Sequence, residues 1–260
     1  FFSSVNNICL GFTLNNNLVA SFSSDTVSIN VASHTCDNLG VSPEEILNIA
    51  EDAANNYWNM SPTSSLKLER GQLIDVNDSF QTDGVCSNIS SSGECTINDD
   101  LIVSSDILIS CNVDSNNTNF ESNVLALTVP NNISGNEIKG SLILINDRDI
   151  TEFSSSSYSD KVAIIAHELG HAIGLGHSTV NDSIMYYSVI PKRISLGEDD
   201  IDGITFLYPM NQPFVNCGNI TYDSKPGQNQ GGQITILLSL IIGFVIAKVV
   251  SRLRNSKHLV

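Results

Sequence analysis

His167-Glu168-Leu169-Gly170-His171-Ala172-Ile173-Gly174-Leu175-Gly176-His177 is the stretch on which the reading of this chain turns. On a helix, His167 and His171 stand at i and i+4, share one face, and can reach one metal ion. Glu168 lies beside that ion without being needed as a ligand. Gly174 can adopt the left-handed conformation that ends a helix, so the chain turns back and brings His177 to the same point. Three neutral imidazoles leave a fourth zinc position open for water, the mark of a catalytic rather than a structural site. The chain has five histidines and three fall in this window. His34 and His258 receive no role.

Working outward, Val162, Ile165, Ala166, Leu169 and Ile173 keep helical spacing, which predicts a helix from Ser159 to Gly174 capped by Ser159 or Asp160. The serine run 154–157 before it reads as an exposed loop. Further upstream, Ser42-Pro43-Glu44-Glu45 has the form of a capped helix start. Ile46, Ile49, Ala50, Ala53 and Tyr57 carry that helix to about Met60. Val27, Ile29 and Val31 alternate with polar residues as a strand does, and strand-like runs follow at 65–75, 105–112, 123–129 and 140–146. A loop-rich insertion fills 76–104. A last helix spans Glu198 to Tyr208, stopped by Pro209. Four or five strands among helices make an α/β or α+β domain.

Composition narrows the setting. Against 28 acidic side chains stand 12 basic ones, a formal charge of −16, which disfavours phosphate backbones and so excludes nucleic acid as an expected partner. Six cysteines without a CxxC pair suit three disulfides in an oxidising compartment. Cys86 and Cys95 flank a short Ser/Gly-rich loop and form the expected local pair; the other connectivities stay open. No basic residue precedes Lys67, so the chain reads as one whose export signal has been removed. Residues 1–24 form an N-terminal segment without a readable motif, 25–212 the catalytic domain and 213–233 a linker. Residues 234–250 are without a charge apart from Lys248 and are followed by Arg252, Arg254 and Lys257. They read as a short transmembrane segment with a basic cytoplasmic tail at 251–260, which puts the domain on the extracellular face.

At 167–185 the chain resembles the metzincins, and within them the matrixins, whose best-known members are the matrix metalloproteinases. The extended zinc motif is followed by Ser183-Ile184-Met185-Tyr186, which is similar to that family's Met-turn. Ser178 directly after His177 is the matrixin-like choice. Leu196-Gly197-Glu198-Asp199-Asp200 through Leu207-Tyr208-Pro209 resembles the last matrixin helix. Ser105–Ser110 and Asn123–Ala126 look like its third and edge strands. The likeness covers roughly 25–210 and is loose before 105.

The resemblance implies a zincin-like α+β fold. Its parts would be a twisted, mostly parallel sheet of about five strands with an antiparallel edge strand, an active-site helix, a Met-turn and a C-terminal helix. It implies one catalytic Zn2+ held by His167, His171 and His177, with Glu168 as general base and Met185 in the Met-turn. It implies a protein or peptide substrate lying along Val124–Thr128, and a selective pocket walled by Met185–Pro191. Leu127 stands near where a structural zinc would need histidine, so a second zinc site is expected to be missing. Calcium on Asp and backbone oxygens is the alternative occupant, though no acidic loop carries a readable calcium signature. The propeptide's cysteine-switch motif is absent. Tyr187 stands where related families place an auxiliary zinc-binding tyrosine; a plain pocket-wall residue is the competing reading. The expected function is a zinc endopeptidase of extracellular or cell-surface proteins. A catalytically silent zinc-stabilised binding module and a metal-free, disulfide-framed adhesion domain are the rivals.

Overall fold

The computed structural model describes residues 12–15, 19–33, 36–91, 95–114, 119–120, 124–148, 152–187 and 194–210. The chain divides into two units, Phe1–Asn211 and Gln212–Val260. The expected linker, membrane segment and tail lie in the second unit, outside the described residues. Among the described residues no helix is long and apolar enough to cross a membrane.

Strands β1 (Ser21–Phe22), β2 (Thr26–Ala32), β3 (Lys67–Ile74), β6 (Asp106–Asn112), β7 (Ala126–Ser134) and β8 (Glu137–Asn146) form one six-stranded sheet. The order runs β3-β2-β6-β8 in parallel, β7 lies antiparallel along β8, and β1 pairs with the first two residues of β8. This is the mostly parallel sheet with an antiparallel edge that the sequence implied. The β7–β8 hairpin is longer than the runs 123–129 and 140–146, because Gly135 takes φ +63° and closes a two-residue turn after Ser134.

Strands β6 and β8 serve two cores by alternation. Ile107, Ile109, Ile143 and Ile145 face one side with Val27, Ile29 and Val31. There α1 (Pro43–Asn56) and α4 (Tyr158–Ala172) pack against the sheet. The α1 start is capped as expected, Ser42 Oγ accepting from Glu45 N at 3.1 Å, and its buried face is Ile46, Leu47, Ile49, Ala50, Ala53 and Ala54. On the opposite side Leu108, Leu142 and Leu144 meet Phe80, Val85, Leu101, Val103 and Phe120. Half of that second cluster's buried residues come from the insertion 76–104, which contains α2 (Ser79–Thr82) and the hairpin β4 (Cys86–Ile89) and β5 (Cys95–Ile97). The insertion is therefore a structured cover rather than a plain loop. Cys86–Cys95 closes its hairpin, and a second disulfide, Cys36–Cys111, ties the chain beyond β2 to β6.

Three sequence readings need correction. The serine run is not all loop, since α3 (Glu152–Ser155) takes its first half. Helix α4 begins at Tyr158 because Ser157 is its cap, accepting from Asp160 N at 3.2 Å. The boundary at residue 25 is too late: Ser21 and Phe22 join the sheet, and Phe12 stacks on Phe206 of α5 (Glu198–Leu207) with ring centroids 5.3 Å apart.

Candidate active site

Helix α4 carries His167, Glu168 and His171, and its end is built to return the chain. Gly174 N donates to His171 O and Leu175 N to Gly170 O, the paired bonds of a Schellman motif. Gly174 sits at φ +108°, and a Cβ there would meet Ala20 O at 2.5 Å. The other last-turn carbonyls are also satisfied. Ser141 Oγ donates to Ala172 O at 2.7 Å, and the buried Tyr208 hydroxyl donates to Ile173 O at 2.8 Å. Mid-helix, Trp58 Nε1 donates to Ala166 O at 2.8 Å, locking α4 to the end of α1.

From this turn His177 returns to the helix. His171 Nε2 lies 3.1 Å from His167 Nε2 and 3.2 Å from His177 Nε2. The tautomers follow from the other ring nitrogens. His167 Nδ1 lies 2.7 Å from Ile184 O and His171 Nδ1 2.8 Å from Leu175 O. Carbonyl oxygens only accept, so both Nδ1 atoms carry the proton and both Nε2 atoms present bare lone pairs. Two facing lone pairs at 3.1 Å have no proton to share, and a cation between them resolves the arrangement. Burial, then the neighbouring His167, holds the His171 pKa down at about 3; burial also lowers that of His177. Both stay neutral at physiological pH, as ligation requires. The donor set of three imidazoles fits zinc. Among the described residues it is the one cluster of three or more metal-competent side chains.

Glu168 is buried, and its Oε2 accepts from Thr128 Oγ1 of β7 at 2.5 Å. Burial pushes its carboxyl pKa up, against the pull of His167 and of the Thr128 bond. The Met-turn lies beneath the histidines. Met185 is 2% exposed, and Ser178 N donates to its carbonyl at 2.7 Å. The buried Asp200 carboxylate organises that turn, accepting from Ser183 Oγ, from Ile184 N at 2.7 Å, from Met185 N at 3.2 Å and from Gly197 N at 2.8 Å. Since Ile184 O holds His167, Asp200 reaches the first histidine through one residue.

The triad opens into a cleft of about 640 Å³ between Val124–Thr128 on one side and Thr13, Leu14 and Asn15 on the other. The N-terminal residues are a component that the sequence did not reveal. Leu14 bridges Leu175, Gly176 N donates to Thr13 O at 2.9 Å, and Thr13 Oγ1 donates to His177 O at 2.5 Å. Their only signal is the apolar–polar–apolar Phe12-Thr13-Leu14, too short to read. Tyr187 is 62% exposed, lies against Tyr186 with ring centroids 4.5 Å apart, and does not line the cleft. The expected pocket wall is described only as far as Tyr187. Leu127, where a second zinc would need a histidine, packs instead on the cluster of Phe80, Val85 and Leu101.

A largely parallel sheet over a helix bearing two of three convergent histidines, with a methionine turn below, defines a zincin-like domain with a candidate metal site. Residues 102–209 match the family model described as Matrixin, peptidase family M10, and the chain carries a matrixin-like catalytic domain. It is similar to Metalloendoproteinase 2-MMP of Arabidopsis thaliana, 34% identical over 87 residues, 32% of this chain and 23% of that protein. It is also similar to Metalloendoproteinase 4-MMP of the same plant, 41% identical over 88 residues, 33% of this chain and 26% of that protein. Stromelysin-1 of Equus caballus is 47% identical over 49 residues, 17% of this chain and 10% of that protein. The matched part thus spans about a quarter or less of these curated relatives.

Proposed function

We propose that this chain is a zinc endopeptidase that hydrolyses peptide bonds of proteins outside the cell. One observation carries the reading: three imidazole Nε2 atoms converge beside a buried glutamate, in a cleft under an edge strand whose far side pairs with no described strand. His167, His171 and His177 hold the ion. Zinc, when bound, acidifies water and polarises the scissile carbonyl. Glu168 takes a proton from the attacking water and passes it to the leaving amine nitrogen. The free edge of β7 aligns an extended substrate by backbone hydrogen bonds, and Met185 packs beneath the ligands.

Two disulfides support an oxidising, extracellular setting. The apolar run 234–250 with Arg252, Arg254 and Lys257 behind it would anchor the domain to the membrane's outer face. Full-length protein then partitions into detergent, and deletion after Lys225 releases soluble, active protease.

The decisive experiment measures zinc content together with cleavage of an unfolded protein, with and without a chelator. Glu168→Ala keeps zinc and loses nearly all hydrolysis; His171→Ala loses the metal as well. Normal turnover in purified Glu168→Ala protein sinks the mechanism.

A further inference from the structure

Thr128 occupies the rim of the cleft where β7 faces α4. Leu127 packs on the opposite core, while the next residue, Thr128, meets Glu168 of the helix, as alternation along a strand requires. Its hydroxyl, 2.5 Å from Glu168 Oε2, makes the one side-chain hydrogen bond to that carboxylate among the described residues. A terminal carboxyl torsion is soft and roughly two-fold, so burial alone does not fix which oxygen faces the histidines. An ionised carboxylate can only accept, so the Thr128 hydroxyl donates to Oε2 and leaves Oε1 for an incoming water. Once Glu168 has taken a proton on Oε1, Oε2 is a carbonyl oxygen that still accepts from the same hydroxyl, so the contact survives both states.

We propose that Thr128 is a positioning residue for proton transfer, holding one oxygen of Glu168 so that the other is aimed at the reacting water. The proposal rests on the endopeptidase reading above. Thr128→Val preserves the branched shape on the strand and removes only the hydroxyl. We expect kcat to fall about tenfold or more, with KM within about twofold and zinc content unchanged. Thr128→Ser, which keeps the hydroxyl, recovers kcat to within about threefold of the parent.

A second measurement does not need turnover. Acetohydroxamate binds zinc and hydrogen-bonds through its own N–O–H group to a neighbouring carboxylate, so its affinity for zinc-loaded protein reports the aim of Glu168. Thr128→Val weakens it about fivefold or more, and has no further effect in a Glu168→Ala background. Unchanged kcat and hydroxamate affinity in Thr128→Val overturn the proposal. So do additive effects with Glu168→Ala, equal loss in Thr128→Ser, or no hydroxamate binding at all. If the parent cleaves no peptide yet the hydroxamate cycle is coupled, the endopeptidase reading fails and the positioning role stands.

Discussion

Gly170 and Met185 are in direct opposition: a Cβ on Gly170 would fall 2.2 Å from Met185 Sδ and 2.7 Å from Trp58 Cζ2. The Met-turn lies this close under α4 because residue 170 has no side chain. Gly170→Ala must displace Met185 or the helix, at about 1–3 kcal/mol of overpacking. The expected result is a Tm lowered by several degrees and weaker zinc retention against a competing chelator. Met185→Leu, which nearly conserves volume, costs less than about 1.5 kcal/mol.

Asp200 reaches His167 through the peptide of Ile184. Asp200→Ala leaves buried donors of the Met-turn unsatisfied and costs about 3 kcal/mol or more. The variant unfolds at lower urea concentration and releases zinc faster.

Asp147 gives a pH signature away from the metal. It accepts from Leu39 N at 2.7 Å, and burial raises its pKa above the ordinary aspartate value. Between about 3.9 and that raised value the folded chain holds more protons than the unfolded one, so stability falls as pH rises. Compared with Asp147→Asn, the parent gains relative stability as pH drops from neutral into this window. Urea unfolding of both proteins across pH 4.5 to 7 reads the difference, and an opposite slope refutes the assignment.

Leu127 packs β7 against the insertion rather than onto a metal. Leu127→Ala removes part of that contact and costs about 1–2 kcal/mol. Turnover falls through looser alignment of the edge strand while zinc content stays at the parental value.

Tyr187 is exposed beside Tyr186, its hydroxyl 3.4 Å from its neighbour's. Tyr187→Phe accordingly keeps zinc content and turnover within about twofold, since no buried hydrogen bond is lost. A tenfold fall in turnover at equal zinc restores the ligand role.

The metal-competent triad was legible because its signal is local: two histidines one helical turn apart, a glycine to end the helix, a third histidine on the return. Strand β2 was legible by alternation, β6 as a strand-like run, and α1 by its Ser42 cap. Thr128 facing Glu168 was not, because the register of an edge strand against a helix is set by the packing of both on the sheet. Strand β1 and residues 12–15 were missed for a related reason. Each is a few residues long and defined by partners more than 100 positions away. The Cys86–Cys95 pair was readable from a short loop; Cys36–Cys111, separated by 75 positions, needed the fold.

That long-range bridge makes the working life of the domain depend on thiol chemistry around it. The loop it closes contains α1, Trp58, β3 and the whole insertion, so it holds both the prop under α4 and the cover over β7. Opening a ring of that size forfeits about 4 kcal/mol on a chain-entropy estimate, a large share of an ordinary domain's about 5–15 kcal/mol. A reductant would therefore disarm the protein without touching a histidine, by letting go of the scaffold that keeps the three imidazoles together.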